Sequence, residues 1–505
     1  MRINLQGRQI MKKIILIACI GILLLGGLGV KTAPVDVMEN EMEKKALITD
    51  DIDPLVDIAV TVDILAIRTL DIIDNSSDPD FFIKIFINDE EFISSIWKDT
   101  NYLYDCWSVT KNVLDDVETA NIKIQLWDNN SNGDSLCDIS MDANYEDIGF
   151  DADLIYNLKT GHWHGSDQIQ GDPSGYGRLN GCDDGSVYKN ENDCELWFNV
   201  YQEDFDNDGI PYWTEVNVYG TDPEICDLGR DDDNDGIPIE WEHKWGYDPL
   251  ISDDHQNLDS DNDSLSNIEE YLTSDFGSDP YRQDVFLEID YMEDGPNGEK
   301  SILPELTKEI LKNPFHRRNI VFHVDTGEIN GGELIPFDDK SDQDEILKIY
   351  RDYFTHNNES NWRRGVFHYG IIVNLCNMKG YAFSGDTPPY WGYIPGTNGF
   401  VISSSQMEKN THKLLLRTKT LEYLYASAIM HETGHNFGIR FGEPFGCDCW
   451  IGKYPWQICF WFIRNYKSIM NYQYTYSIFD YSDGSHGRGD YDDWANIDLT
   501  YFEAQ

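Results

Sequence analysis

The chain has 505 residues, 41% of them hydrophobic, which is enough apolar material for two or three domains with separate cores. Its 91 acidic and 38 basic residues give a formal net charge of -53. Because nucleic acids and anionic membrane surfaces are both bound through a basic footprint, this balance predicts repulsion from both and favours cations as partners. Nucleic acid is therefore excluded.

Residues 1–33 have the order of a secretory signal. Lys12 and Lys13 precede an apolar run over residues 14–30, and the small residue Ala33 follows it. This order predicts export, with an uncleaved membrane anchor as the alternative because the run has about the minimum length of a span. We therefore expect a secreted or cell-surface protein.

Nine of the ten cysteines lie beyond this segment, and export favours disulfide bonds between them. The local pairs are Cys182 with Cys194, and Cys459 with Cys447 or Cys449. The odd number leaves one thiol without a partner.

Residues 55–200 are predicted to form an antiparallel β-sandwich. Short runs rich in β-branched and aromatic residues, such as 81–87 and 122–127, alternate with clusters of Asp, Asn, Ser and Gly. The acidic turns with Asp78, Asp80, Asp128 and Asp134 resemble the loops with which C2-type sandwiches gather calcium at one tip. Ordinary aspartate-rich turns are the alternative.

Residues 201–281 contain a repeat of about 28 residues, with loops beginning at Asp204, Asp231 and Asp259. Each loop has carboxylates at positions 1, 3 and 5, a backbone carbonyl at position 7 and a glutamate at position 12, which is the spacing of a twelve-residue calcium loop. The predicted calcium ligands are Asp204, Asp206, Asp208, Ile210 and Glu215; Asp231, Asp233, Asp235, Ile237 and Glu242; and Asp259, Asp261, Asp263, Leu265 and Glu270.

Each repeat ends in a similar tag in which Asp-Pro follows a glycine by two residues. The tagged repeat resembles the thrombospondin type 3 repeats of extracellular proteins. Because the segment contains little apolar material, calcium must supply much of its folding free energy, and without calcium we expect a floppy linker. Ser264 replaces glycine at the sharp turn of the third loop, so that site is expected to be the weakest.

Residues 282–505 alternate apolar runs with helical stretches and are predicted to form an α+β domain. A buried helix is predicted over residues 421–437, and Gly438 stands where it would stop. His431 and His435 project from one face of this helix, so both imidazoles can bind one zinc ion, while Glu432 serves as general base toward an activated water.

This motif resembles that of the metzincin clan of zinc endopeptidases, since Gly438 follows His435 by three residues. Residues 468–472 are similar to the Met-turn of its astacin and serralysin branches. The resemblance implies that Met470 floors the zinc site and that Tyr472 binds zinc or stabilises an oxyanion. It also suggests residues 398–403 as an exposed edge strand that aligns the substrate.

The chain departs from the metzincin pattern at the third zinc ligand, where Phe441 stands. Glu443 and Asp448 are the nearest replacements, and Asp448 is preferred because a disulfide from Cys447 or Cys449 would hold it rigidly. The thiolates of these two cysteines could also bind zinc, and His486 is a distant candidate.

The sequence thus predicts a multidomain protein: a β-sandwich, a calcium-loop linker and a metzincin-like protease domain. We expect a zinc-dependent endopeptidase that acts on protein or peptide substrates outside the cell, with membrane contact only through the N-terminal anchor or the sandwich. The alternative, which Phe441 motivates, is a calcium-dependent extracellular binding protein with an inactive protease-like domain.

Overall fold

The computed structural model describes residues 58–501, apart from residues 75–76, 114–116, 142–148, 167–175, 190, 329–330, 359, 385–396 and 412–418. The predicted signal or anchor segment lies outside these residues. No helix in the described part of the chain has both the length and the apolar character needed to cross a bilayer.

Two antiparallel sheets confirm the predicted β-sandwich. In spatial order, the first consists of β4 (Tyr102–Asn112), β1 (Ala59–Thr69), β10 (Cys194–Gln202) and β9 (Tyr176–Asn180). The second consists of β3 (Glu90–Ile93), β2 (Phe81–Ile87), β5 (Thr119–Asp128), β7 (Ala152–Asn157) and β8 (Trp163–Gly165), with β6 (Ser135–Cys137) beside β5. The sheets meet where Trp163 packs on Phe198, with ring centroids 5.4 Å apart.

The repeat segment contains only short helices. They are α1 (Tyr212–Thr214), which continues into a π-helical turn (Glu215–Tyr219), α2 (Ile239–Trp245) and α3 (Asn267–Leu272). Its apolar core is small and is built around Ile237, Trp241 and Trp245. The scarcity of apolar packing agrees with the sequence, in which these repeats are mostly polar.

The C-terminal domain is built on a mixed sheet. In spatial order its strands are β12 (Val321–Asp325), β11 (Asp284–Met292), β14 (Phe367–Val373), β16 (Asn398–Ser403) and β15 (Gly380–Ser384), with β13 (Leu334–Ile335) beside β11. Neighbouring strands are parallel except β15, which runs antiparallel to β16.

Helices cover both faces of this sheet. They are α4 (Glu305–His316), α5 (Gln343–Ile349), α6 (Ser404–Thr411), α7 (Leu421–Asn436) and α8 (Phe460–Ile463), and the short strand β17 (Phe445–Asp448) follows α7. Leu287 of β11 shares a core with Leu424 of α7, whereas Phe286 belongs to a second core with Ile346 of α5. Alternate residues of one strand therefore serve opposite layers.

The prediction that residues 398–403 form an exposed edge strand is wrong. Every residue of β16 is buried, and the strand pairs with both β14 and β15. Within the described residues the edge belongs to β15, because the chain returns antiparallel along the outer side of β16.

One predicted disulfide is also wrong. The Cys182 thiol donates to the carboxylate of Asp193 across 3.2 Å, so Cys194, the next residue, points away, and its side chain is hydrogen-bonded to Cys137. Successive residues of an extended segment face opposite sides, which is why Cys182 cannot reach Cys194. Of the two partners predicted for Cys459, Cys449 is the one whose side chain contacts it.

The sandwich contacts the C-terminal domain directly, so the repeats are not a free linker between them. Glu195 of β10 is fully buried and binds Arg178, Arg68 and His316, the last through a 2.7 Å bond between Nδ1 and Oε2. Burial alone would raise the pKa of Glu195, but Arg178 and His316 hold it well below its usual range. His316 closes α4, so this charge network joins the two domains.

Glu195→Gln should lower the free energy of unfolding by about 3–5 kcal/mol, because it leaves Arg178 buried without its ion-pair partner, although Arg68 keeps Glu309. Urea unfolding followed by circular dichroism measures the loss. The matched control Glu90→Gln removes a carboxylate whose side chain is 59% exposed, and it should cost less than about 1 kcal/mol. Equal losses in the two variants would contradict the stabilising role of the network.

Candidate metal centre

Helix α7 carries the two histidines near its buried C-terminal end. The hydroxyl of Thr420 caps its N-terminus by accepting the Tyr423 N–H, and Gly438, at φ +89°, ends it. The rings of His431 and His435 lie perpendicular, with centroids 5.2 Å apart. Residues four apart on a helix thus meet on one face, as the spacing predicts.

Backbone carbonyls fix the tautomer of both imidazoles. Nδ1 of His431 donates to the Ile469 carbonyl at 2.9 Å, and Nδ1 of His435 donates to the Ile439 carbonyl at 2.6 Å. A carbonyl can only accept, so each Nδ1 carries a proton, and Nε2 is the nitrogen that each ring directs toward the site. Metal-binding histidines are oriented in this way.

Asp448 is the third group that approaches these nitrogens. Its Oδ1 lies 3.0 Å from Nε2 of His431, and its Oδ2 lies 3.1 Å from Nε2 of His435. The residue is buried, and its backbone N–H donates to the Met470 carbonyl. The structure therefore favours Asp448 over Glu443 as the candidate third ligand, because Glu443 is exposed on the preceding turn.

The remaining residues near the position of the third ligand are less suited to it. Phe441 is half exposed, and His486 lies with Asp483 and Asp490 in another cluster. Cys447 is buried and comes near His435 and Asp448, but burial raises the pKa of its thiol well above the usual value, so the thiolate is disfavoured.

The electrostatics of the site favour positive charge between the imidazoles. Burial lowers the pKa of His435, but the carboxylate of Asp448 outweighs it and raises that pKa to about 9. The pKa of His431 is raised for the same reason, and that of Asp448 is lowered by the two histidines against the effect of burial. The negative charge of the buried carboxylate and the arrangement of the two nitrogens around it both favour a bound cation.

Glu432 faces the edge strand. Its carboxylate accepts a hydrogen bond from the backbone of Ala382 in β15, and a Cβ added at Gly380 would lie 3.0 Å from its Oε1. Burial raises the pKa of Glu432, while the two histidines oppose that rise. The glycine therefore leaves room for the carboxylate between helix and strand.

Met470 and Tyr472 pack around the two histidines, Met470 against the helix that carries them and Tyr472 against the ring of His431. A Cβ at Gly434 would come within 2.5 Å of Met470 Sδ, so the methionine packs directly under the helical turn that carries the histidines. The Tyr472 ring stacks on His431, with centroids 5.6 Å apart, and its hydroxyl is hydrogen-bonded to Asp448. The hydroxyl thus orients the third group in addition to any role toward substrate.

The three repeat loops have the same internal geometry. In each, the carboxylate at position 1 accepts the N–H of position 4, and the carboxylate at position 5 accepts the N–H of position 7. The pairs are Asp204 with Asn207, Asp231 with Asn234 and Asp259 with Asn262, then Asp208 with Ile210, Asp235 with Ile237 and Asp263 with Leu265. These bonds curl each loop around a common centre.

Carboxylates at positions 3 and 12 of every loop have buried oxygens without a hydrogen-bond partner. They belong to Asp206, Glu215, Asp233, Glu242, Asp261 and Glu270. Burial, then repulsion from neighbouring aspartates, raises the pKa of Glu215 to about 8 and that of Asp261 to about 10. Clustered acceptors that outnumber their donors are the oxygen set that a hard divalent cation satisfies. In the second loop Nε2 of His255 also lies 3.2 Å from Asp235 and 3.7 Å from Glu242.

One acidic residue per repeat was not predicted from the sequence. The backbone N–H groups of Asp227, Asp253 and Asp284 donate to the position-5 carboxylates of the first, second and third loops. Each follows the aspartate of its Asp-Pro tag by five residues, a regularity that could have been read from the repeat. Each loop is therefore completed by the chain that leaves its own repeat.

The acidic turns of the sandwich do come together, but several of their oxygens already accept hydrogen bonds. Asp128 accepts the Asp80 N–H at 2.9 Å and the Asn130 amide at 2.6 Å, and Asp134 accepts the Asn129 amide at 2.9 Å. This arrangement favours aspartate-rich turns over a C2-type calcium site at this tip.

Neither a model of a known protein family nor a curated protein matches the chain. Among solved structures, human GIVD cytosolic phospholipase A2 is similar at 15% identity and a TM-score of 0.19 over 29% of this chain and 16% of that one. A C2 domain is similar at 11% identity and a TM-score of 0.18 over 29% of this chain and 98% of that one. Likenesses this slight establish neither family nor activity.

Proposed function

We propose that the C-terminal domain is a zinc-dependent endopeptidase. The observation that carries the proposal is the carboxylate of Asp448, whose two oxygens lie 3.0 and 3.1 Å from the Nε2 atoms of His431 and His435. It supplies a third donor where Phe441 had left a gap. This weakens the argument that the domain is an inactive protease-like domain, which rested on the missing third ligand.

The residues fit a zinc ion by their chemistry. Two imidazole nitrogens and one carboxylate oxygen are a common ligand set of catalytic zinc, and they leave a coordination position open. Because each Nδ1 donates to a carbonyl, each ring would offer Nε2 to the metal, which would displace the Nε2 proton. A zinc ion held there would supply Lewis-acid activation of water and of a peptide carbonyl.

The chain itself would supply alignment and proton transfer. β15 is antiparallel and lies at the sheet edge beside Glu432, so an extended peptide can add to it as a further strand. Glu432 would accept the proton of the attacking water and return it to the leaving amine. Its burial raises its pKa, which suits a group that must both take up and release a proton.

Glu432→Gln should reduce digestion of an unfolded protein such as casein by about 10²–10⁴-fold, the usual contribution of a general base. Zinc content should stay at the wild-type level, because the amide keeps the shape of the side chain. Glu422→Gln on the same helix is the matched control and should digest normally. Wild-type protein without zinc, or equal digestion by wild type and Glu432→Gln, would refute the proposal.

We also propose that the three repeat loops bind calcium. The unpartnered oxygens at positions 3 and 12 recur in every loop, which supports a ligand that satisfies all three in the same way. The calcium would stabilise the segment that packs between the sandwich and the catalytic domain.

A further inference from the structure

The segment from Cys449 to Lys467 presents large apolar side chains to solvent beside the candidate metal centre. Trp456 and Ile458 are each 79% exposed, and the other apolar residues that are more than half exposed are Trp450, Ile451, Trp461 and Phe462. A single exposed apolar residue is ordinary. Six within thirteen positions mark an interaction surface.

These side chains project from the surface instead of lining a groove. Trp456 stacks on Tyr454, with centroids 4.8 Å apart, and Trp461 donates from Nε1 to the Pro455 carbonyl at 3.1 Å. The segment is thus held in one conformation while its tip stays exposed. The side chains that line a peptide-binding cleft are partly buried. A protruding apolar segment of this kind is better suited to insertion into a lipid bilayer.

The charge of this segment also departs from the rest of the chain. Residues 449–467 contain Lys453, Arg464 and Lys467 and no acidic residue, although the chain has 91 acidic residues in 505. Tryptophan together with basic residues is typical of surfaces that sit at the headgroup level of a bilayer. At physiological ionic strength the acidic remainder is screened beyond about 8 Å, so the local charge decides.

We propose that residues 449–467 dock the catalytic domain onto a phospholipid bilayer that carries anionic headgroups. Trp450 contacts Tyr472, with centroids 5.1 Å apart, and Tyr472 stacks on His431. Docking through this segment holds the candidate metal centre next to the membrane surface. The proposal does not depend on peptidase activity, and it adds a membrane contact distinct from the N-terminal segment and the sandwich.

Quenching of tryptophan fluorescence by acyl-brominated lipids tests this insertion in the full chain. Residues 1–57 contain no tryptophan, so the predicted N-terminal anchor gives no signal of its own. Vesicles of phosphatidylcholine with one part in four of phosphatidylglycerol should quench the wild type. Ile451→Ser with Ile458→Ser keeps every tryptophan and should need at least tenfold more lipid for the same quenching, because two apolar side chains no longer leave water.

Two comparisons make the result decisive. Ile72→Ser with Leu334→Ser removes two exposed apolar side chains elsewhere and should leave quenching unchanged, whereas Lys453→Glu with Lys467→Glu should reduce it. Thermal unfolding confirms that the variants fold. No quenching of the wild type, or equal quenching of wild type and Ile451→Ser with Ile458→Ser, overturns the proposal. Equal quenching with weaker digestion by that double variant would assign the segment to polypeptide substrate instead.

Discussion

Asp448→Asn is expected to remove bound zinc and protein digestion together. The amide is nearly the same size as the carboxylate, so the backbone bond to Met470 can persist, but the negative charge between the two imidazoles is lost. Loss of a hydrogen-bond partner of a ligand lowers metal affinity about 10–100-fold, and loss of a direct ligand should exceed about 100-fold. Zinc content after dialysis at nanomolar free zinc, with casein digestion alongside, measures both effects.

The neighbouring carboxylate provides the control for this experiment. Glu443 was the other candidate from the sequence, and it is exposed on the turn before β17. Glu443→Gln should retain zinc and digest at the wild-type rate. If Asp448→Asn kept one zinc per chain while Glu443→Gln lost it, the assignment of the third ligand would be reversed.

The local parts of this site could be predicted because local spacing determines them. His431, Glu432 and His435 share one helix, and four residues always bring two side chains to one face. The position of Asp448, the candidate third ligand, depends instead on the path of the chain after α7. The bond from the Asp448 N–H to the Met470 carbonyl fixes that path, and a pairing between distant segments leaves no periodic trace in the sequence.

The same distinction explains the errors elsewhere in the fold. The apolar run at residues 398–403 identified a strand correctly, but its position in the sheet depended on Gly380–Ser384, which pairs outside it. Cys194 is close to Cys182 in sequence, yet its neighbour in space is Cys137 from the other sheet of the sandwich. Two residues that are close in sequence are expected to be in contact only where the chain between them folds back on itself.

The repeats were predictable because a fixed spacing recurs three times, and the structure extends the pattern to Asp227, Asp253 and Asp284. Asp284 opens β11, the central strand beside β12 and β14, and its carboxylate lies against Ser278 and Asp279. The third loop is therefore joined to the sheet that carries the candidate catalytic helix. Cation binding in this loop should affect the folding of the C-terminal domain.

Removal of calcium should accordingly expose the segment from Asp204 to Asp284 and lower the stability of the whole described unit. A ligand present at 100 times its dissociation constant contributes about 2.7 kcal/mol per site, so three loops together contribute about 8 kcal/mol. Without it, Glu215 and Glu270 stay buried beside the aspartates of their own loops, and burial followed by repulsion from those aspartates raises the pKa of each. Protein stripped of all metals and then given calcium alone or zinc alone separates the two kinds of site.

This comparison is best made in the Glu432→Gln background, so that self-digestion does not contribute. A glutamate-specific protease should cut the stripped protein at Glu215, Glu242 and Glu270, and calcium alone should suppress these cuts, as mass spectrometry of the fragments would show. Asp261→Asn should weaken protection of the third loop while it keeps the cleavage site at Glu270, and Asp222→Asn, on the exposed tag of the first repeat, should not weaken it. Protection by zinc alone, or equal cutting with and without calcium, would contradict calcium binding. Because Asp284 links the third loop to β11, loss of that site alone should lower the thermal midpoint of the C-terminal domain more than loss of the first.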